Sequence, residues 1–306
     1  MSPPLFDHVC VVGLGLIGSS LLRAMRAARL ADRTTGFDLD PAIGTRALAL
    51  DIVDEIAPSL RDAMAQADLV ILATPVGAVD HLCAEISPHL KSGAIVSDVG
   101  SVKTGMMTAA RHLPDDVFCV PAHPVAGTEQ SGPEAGFADL FRDRWCILTP
   151  LPRDDAPYRA ALSRVEQLWQ AMGALTECMS ADHHDLALAI TSHLPHLIAF
   201  TLVGAADDLE SVTEAEIVKY SAGGFRDFTR IAASDPVMWR DVFLQNKDAV
   251  LEVLGRFTEE VALLQRAIRW GDEETLTAAF TRGRALRRAI VDAGQETDAP
   301  NFGRDR

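Results

Sequence analysis

Positive charge is in short supply in this chain. Its 306 residues carry 28 Lys and Arg against 43 Asp and Glu, a formal net charge of −15, with a sequence pI near 4.9. That balance argues against non-specific binding to nucleic acid or to a membrane surface. It also means that an anionic ligand needs a local cluster of Arg and His. Cysteine is sparse too: five residues, an odd number, with no C-x-x-C pair. Cys10, Cys119 and Cys146 sit inside apolar, strand-like runs and read as reduced core residues of a cytoplasmic protein. The N-terminal MSPPLFDH lacks a basic stretch followed by an apolar one, so no signal peptide is expected. There is no H-E-x-x-H, no internal repeat and no low-complexity tract. Asp182, His183, His184 and Asp185 are adjacent and do not converge on one helix face, so no metal site is expected.

Long hydrophobic runs are also scarce. Only Leu186–Ala206 is both long and free of Asp, Glu, Lys and Arg. About 20 such residues can span a bilayer. This run, however, holds Pro195, His193, His196, Ser192 and Thr201, stands alone, and has acidic flanks. A buried helix of a soluble protein is the expectation.

Hydrophobic residues make up 48% of the chain, enough for a large core, and the length suits two domains. From His8 to about Thr149, apolar runs alternate with helical patterns. HVCVV, TTGFD, ADLVILAT, AIVSD, VFCVPA and WCILT read as strands. This βαβα rhythm predicts an α/β Rossmann-type domain with a parallel sheet over residues 1–150. PLPRDDAP, residues 150–157, reads as a linker. Beyond it the strand signal fades, and an all-α C-terminal domain is expected over 151–306. Apolar side chains from Trp239 to Phe257 fall in a stripe of helical spacing, and Asp235-Pro236 fits a helix cap followed by proline at the first position.

GLGLIG, residues 13–18, has the G-x-G-x-x-G spacing between a strand and a helix. Gly13 permits the tight turn, Gly15 lets the backbone approach a pyrophosphate, and Gly18 lets helix and strand pack closely. Leu16 and Ile17 open the helix whose positive end would hold the pyrophosphate. Asp38 follows at the end of the second strand, where a carboxylate binds an adenosine ribose and repels a 2′-phosphate. NAD is therefore favoured over NADP. Asp40 precedes Pro41 and reads as a helix cap. Thr74, Pro75 and Val76 follow the strand LVIL and should border the cofactor. Asp98–Lys103 and Ala122–Gly127 follow two further strands. His123 is thereby presented where nicotinamide chemistry would occur, and histidine suits a base for a hydroxyl proton. On position alone, a structural histidine capping the loop is an equal reading. Lys103 could neighbour a phosphate or the cofactor but reads most plainly as a surface lysine, and Trp239 could equally be core.

GLGLIGSS, SDVGSVK, AHPVAG, SHLPH and GGFRDFTRIAASDPVMWRD run in order from residue 13 to residue 241. With them the chain resembles the prephenate/arogenate dehydrogenases of tyrosine biosynthesis, over essentially its whole length. The resemblance implies NAD-dependent oxidative decarboxylation of a cyclohexadienol carrying a ring carboxylate. His123 would be the catalytic base, and Ser101 would bond the same hydroxyl or orient His123. Arg230 would take the substrate carboxylate, which a guanidinium can bond bidentately. SHLPH would line the pocket, with His193 facing the substrate or the region around Ser101 and His196 forming a second wall or supporting a residue that does; Pro195 interrupts the helix and frees carbonyls that one imidazole can bond. Glu129 would sit near the pocket entrance, and Asp227 would pair with a pocket histidine or with Arg230. The resemblance further implies a homodimer formed through the helical half, with no preceding chorismate mutase segment and no C-terminal regulatory ACT domain. Other β-hydroxyacid dehydrogenases, imine reductases and a non-catalytic NAD-binding protein are the competing readings.

Overall fold

A computed structural model describes residues 3–128, 130–208, 216 and 219–292. The chain falls into two compact units, one up to Val250 and one from Leu251 onward. The first begins with β1 (Phe6–Val12), α1 (Leu16–Ala28), β2 (Ala31–Phe37), α2 (Pro41–Ala49), β3 (Glu55–Ile56) and α3 (Leu60–Met64). Next come β4 (Leu69–Leu72), α4 (Val79–Ile86), β5 (Ile95–Asp98), α5 (Thr104–Ala109), β6 (Phe118–Cys119), β7 (Ala122–Pro124) and β8 (Trp145–Leu148). Then follow α6 (Ala156–Ala171), β9 (Leu175–Cys178), α7 (Ala181–Leu188), α8 (Leu194–Asp207), α9 (Gly223–Thr229) and α10 (Pro236–Gln245). The last described helices are α11 (Lys247–Trp270) and α12 (Glu273–Asp292).

Six strands form a parallel sheet in the order β3-β2-β1-β4-β5-β6. The order reverses between β1 and β4, which opens a crevice at the carboxyl ends of the strands. The near-continuous apolar runs of β1, β4 and β5 are buried, as strands covered on both faces must be.

The run VFCVPA is two strands, not one. Phe118–Cys119 joins the parallel sheet and Ala122–Pro124 joins a second sheet, β7-β8-β9. Pro121 lies between them and has no N–H to donate to a ladder. WCILT pairs antiparallel with β7 and so does not extend the parallel sheet. A strand also follows the 150–157 stretch: β9 pairs parallel with β8. Its mixed, mostly exposed sequence LTEC gave no strand signal. Tyr158, Val165, Leu168 and Trp169 of α6 share one apolar core with Phe6, Val9 and Leu21.

Later helices depart from the expected pattern at two points. The stripe from Trp239 to Phe257 is broken at Asn246, which separates α10 from α11. Asp235 caps α10, accepting from Met238 N at 2.8 Å, with Pro236 at the first position. The uncharged run belongs to a helical stretch, Ala181–Ala206, that is long and apolar enough to cross a membrane by length and composition. It is not uniformly buried. His184, Asp185, Leu188, Ala189, His193, Leu194 and Ala199 face inward, whereas Ile190 is 51% exposed and Val203 40%. A π-helical turn, Ala189–His193, joins α7 to α8. Pro195 supplies no N–H here, and such turns re-aim side chains within a continuous helix.

Lys103 is fully buried, contrary to its reading as a surface residue. Its Nζ donates to Asp98 Oδ2 and, at 2.6 Å, to the Ala122 carbonyl. Asp98 Oδ1 accepts from Ala122 N at 3.2 Å. One ion pair thus grips both peptide groups that flank His123's strand entry and ties β7 to β5. Lys103→Met leaves the Asp98 carboxylate buried without its cation, which costs about 3–5 kcal/mol. The urea midpoint should fall accordingly; an unchanged midpoint would count against this account.

Candidate active site

The glycine turn has the geometry its spacing implies. Gly13 has φ +93°, and a Cβ there would lie 2.5 Å from the Ala73 carbonyl oxygen. A Cβ on Gly18 would lie 2.0 Å from the Gly13 carbonyl oxygen. Gly15 is different: nothing lies within 4 Å of a Cβ added there, so the space beside it is open. Helix α1 starts at Leu16 with no side-chain cap and no acid in its first turn. Its first N–H groups, from Leu16, Ile17 and Gly18, are therefore available to an anion. Asp38 turns toward this loop. Its Oδ2 accepts from Leu14 N at 2.9 Å and its Oδ1 from Asp40 N at 3.0 Å. Both oxygens keep a lone pair for a ribose hydroxyl. Asp40 caps α2 through Ala42 N at 2.8 Å. Thr74, Pro75 and Val76 follow β4 at the same edge, and the Thr74 hydroxyl is buried with no partner among the described residues. Open space, free N–H groups, an acceptor pair and an unsatisfied hydroxyl together fit a dinucleotide.

His123 lies on β7 and is 7% exposed. Its Nδ1 is 2.8 Å from His184 Nε2. Its ring is thus oriented from α7, not by Ser101, which lies half-buried in the loop after β5. His184 Nδ1 is 2.7 Å from Asp185 Oδ1, and Asp185 in turn accepts from Lys103 N at 2.8 Å, Thr104 N at 2.9 Å and Thr104 Oγ1 at 2.6 Å. Neither His184 nor Asp185 was singled out as a site residue from the sequence, where they read only as part of a rejected metal cluster.

His193 is fully buried. Asn246 Nδ2 donates to the Asp185 carbonyl at 2.8 Å and lies 3.0 Å from His193 Nδ1. That Nδ1 therefore accepts, and Nε2 carries the proton; this Nε2–H is buried with no partner among the described residues. His196 donates from Nδ1 to the Ser192 carbonyl at 2.8 Å and stacks on Trp239, ring centroids 3.7 Å apart. Trp239 also meets His193 edge-on at 6.0 Å, and its own Nε1 is buried without a partner among the described residues. Arg230 is exposed in the turn after α9 and lies close enough for its charge to depress His196. Asp227 is exposed beside Arg226, 3.7 Å away. The structure thus brings His123, His193, His196 and Trp239 together but leaves Asp227 at the surface. Glu129 lies outside the described residues.

The imidazoles are held neutral. Burial pushes His123 well below its ordinary pKa, and the nearby His184, Lys103 and His193 add to the effect. Burial lowers His193 to about 4. Burial also lowers His196, with Arg230 assisting against the Ser192 hydrogen bond.

Two family models match the chain. The prephenate dehydrogenase nucleotide-binding domain matches residues 21–177, and the prephenate dehydrogenase dimerization domain matches residues 180–282. The chain belongs to the prephenate dehydrogenase family. A cyclohexadienyl dehydrogenase of Zymomonas mobilis is 41% identical over 286 residues, covering 93% of this chain and 96% of that protein. The crystal structure of prephenate dehydrogenase from A. aeolicus, in complex with hydroxyphenyl propionate and NAD+, superposes with a TM-score of 0.85 at 34% identity, covering 93% of this chain and 98% of that one. Synechocystis arogenate dehydrogenase gives 0.77 at 26% identity, covering 92% and 99%. These family members are oxidoreductases, and the match leaves the readings as an imine reductase or a non-catalytic protein unfavoured.

Neutral buried histidines make stability depend on acid. The unfolded chain binds a proton at each histidine near pH 6.5, whereas folded His193 resists it down to about 4. Its contribution is complete above about pH 6.5 and is lost as pH falls toward 4, with a slope approaching about 1.4 kcal/mol per pH unit. Urea unfolding between these limits should show a shallower pH dependence in His193→Gln than in the wild type. Equal slopes would mean that His193 already titrates normally.

Proposed function

We propose that this protein is an NAD-dependent dehydrogenase that oxidatively decarboxylates prephenate, arogenate or both, giving 4-hydroxyphenylpyruvate or tyrosine. The observation that carries the reading is His123: a neutral, buried imidazole beside the loop at the carboxyl end of β5, where a dinucleotide on α1 would extend its nicotinamide. When bound, NAD+ supplies the hydride acceptor for the ring carbon that bears the hydroxyl. The α1 N–H groups would hold its pyrophosphate and Asp38 its ribose, while Thr74, Pro75 and Val76 border it.

His123 would accept the hydroxyl proton through Nε2, since Nδ1 is engaged by His184. As the C4–H and C–CO2 bonds break, the ring becomes aromatic and the carboxylate leaves as CO2. A base that is neutral at working pH is ready to accept without first losing a proton. Ser101 would bond the same hydroxyl. The free Nε2–H of His193 would donate to a substrate oxygen, and His196 with Trp239 would form a flat wall. Arg230 would take a substrate carboxylate, the local cation that an acidic protein needs for an anionic substrate. Asp227, at the surface, would pair with Arg230.

NAD binding, expected over residues 1–150, would extend through α6 and β9, because both continue the first core and second sheet. The helical remainder of 151–306 would bind substrate and pair two protomers. Leu251, Ile268, Trp270, Phe280 and Leu286 are exposed by 57%, 68%, 76%, 62% and 66%, large apolar side chains that a partner surface would cover. A symmetric homodimer is the simplest closed cover. The charge balance and reduced cysteines favour the cytoplasm as its location.

Steady-state NADH formation with each substrate, against NAD+ and NADP+, tests the reading. Turnover with at least one substrate and a preference for NAD+ is expected. His123→Asn should keep NAD+ binding while turnover falls by about 10²–10⁴. Wild-type turnover in that variant would remove His123 as the base. Light scattering should give twice the 33.0 kDa of one chain, and a monomeric mass at micromolar protein would defeat the dimer.

A further inference from the structure

His184 and Asp185 form an enclosed polar pair beside the site, 0% and 2% exposed, and the reaction outlined above uses neither directly. Their hydrogen bonds have a direction that can be worked out from one end. Asp185 faces four donors: Lys103 N, Thr104 N, Thr104 Oγ1 and His184 Nδ1. Burial alone would raise its pKa, but the hydrogen bonds from His184, Thr104 and the two backbone amides outweigh burial and hold it below the usual carboxylate range. An ionised carboxylate only accepts. His184 Nδ1 must therefore carry a proton.

His184 is itself neutral, because burial lowers it against the pull of Asp185. A neutral imidazole has a single N–H, so His184 Nε2 is a bare lone pair. That lone pair meets His123 Nδ1 at 2.8 Å, with the rings edge-to-face at 71°. His123 Nδ1 must then be the donor, and the Nε2 of His123 is left as an acceptor.

We infer that Asp185 and His184 are positioning residues that lock His123 in its Nδ1–H form and so reserve its Nε2 lone pair for the substrate hydroxyl. Which ring nitrogen of a histidine carries the proton is set by the bond that the other one makes. Without the lock, His123 can protonate Nε2 and offer the hydroxyl a donor instead of a base. In the reaction the hydroxyl proton moves to His123 Nε2. The resulting imidazolium keeps its Nδ1 proton on His184, whose orientation the Asp185 carboxylate maintains. The anchoring of Asp185 by the amides of Lys103 and Thr104 makes the β5 loop and α7 one rigid unit around His123.

The inference rests on His123 being the base, so the test separates the two. Long-range proton–nitrogen correlation on the full-length protein labelled with 15N-histidine, with His123→Asn to assign the signals, reads the tautomer directly. Wild-type His123 should show a protonated Nδ1 and an unprotonated Nε2 at neutral pH. His184→Leu should lose that signature, and its kcat should fall by about 10²–10³, within the range a general base supplies, with NAD+ binding retained. His184→Gln, whose Oε1 can accept from His123 Nδ1, should recover part of both. A wild-type spectrum with the proton on His123 Nε2 overturns the inference, as does His184→Leu with unchanged tautomer and kcat. If His184→Leu does not fold, the wild-type spectrum still decides. An inactive His123→Asn beside a fully active His184→Leu defeats this inference alone, whereas an active His123→Asn defeats the base and leaves the tautomer to the spectrum.

Discussion

The Asp185 carboxylate is the constraint on which the site depends. It accepts from two successive backbone amides of the β5–α5 loop, from the Thr104 hydroxyl and from His184. Such convergence on a buried anion fixes α7 against the end of the parallel sheet. Once α7 is fixed, His184 reaches His123, and the π-helical turn that follows turns His193 inward. Asn246, in the break between α10 and α11, reaches the Asp185 carbonyl and His193 together and completes the ring of contacts. A polar network this enclosed is costly unless every member is satisfied. Among the buried polar atoms that lack a partner within the described residues, His193 Nε2–H, Thr74 Oγ1 and Trp239 Nε1 belong to residues expected to border the ligands.

A second buried ion pair does for the sheet what Asp185 does for the helix. Lys103 and Asp98 hold the two peptide groups of Ala122, so the residue before His123 cannot shift along the strand. Buried pairs of this kind add little net stability compared with apolar packing. Their use here is positional: the imidazole is supported through its backbone by Lys103 and through its ring by His184. The first support comes from the β5 loop, which also carries Ser101, and the second from α7, which that loop anchors through Asp185. Burial then keeps the cluster neutral, the state in which one imidazole can accept a proton while its neighbour donates a hydrogen bond.

The features legible in the sequence were those whose reasons are local. The glycine turn could be read because Gly13 and Gly18 each face a carbonyl oxygen that forbids a Cβ, and because Asp38 closes the next strand. The Asp40 and Asp235 caps announce themselves by the proline that follows each. The features that were missed depend on partners far along the chain. Lys103 looked like a surface lysine because nothing near it shows that Asp98 and Ala122 enclose it. VFCVPA looked like one strand because the consequence of Pro121 appears only when two sheets compete for its two ends. β9 is short, polar on one side and exposed, so its strand character comes from β8.

The sequence alone determined the βαβ rhythm, the glycine turn, the acid that closes the second strand and the family to which the motifs belong. These follow from backbone sterics, hydrophobic period and residue order, all of which act over a few neighbours. Tertiary structure alone decided the direction of the hydrogen bonds. His184 and Asp185 are 61 and 62 positions from His123, and Asn246 is 53 from His193. Which nitrogen holds a proton in each imidazole is settled by the group packed against it, and only folding brings those groups within bonding distance.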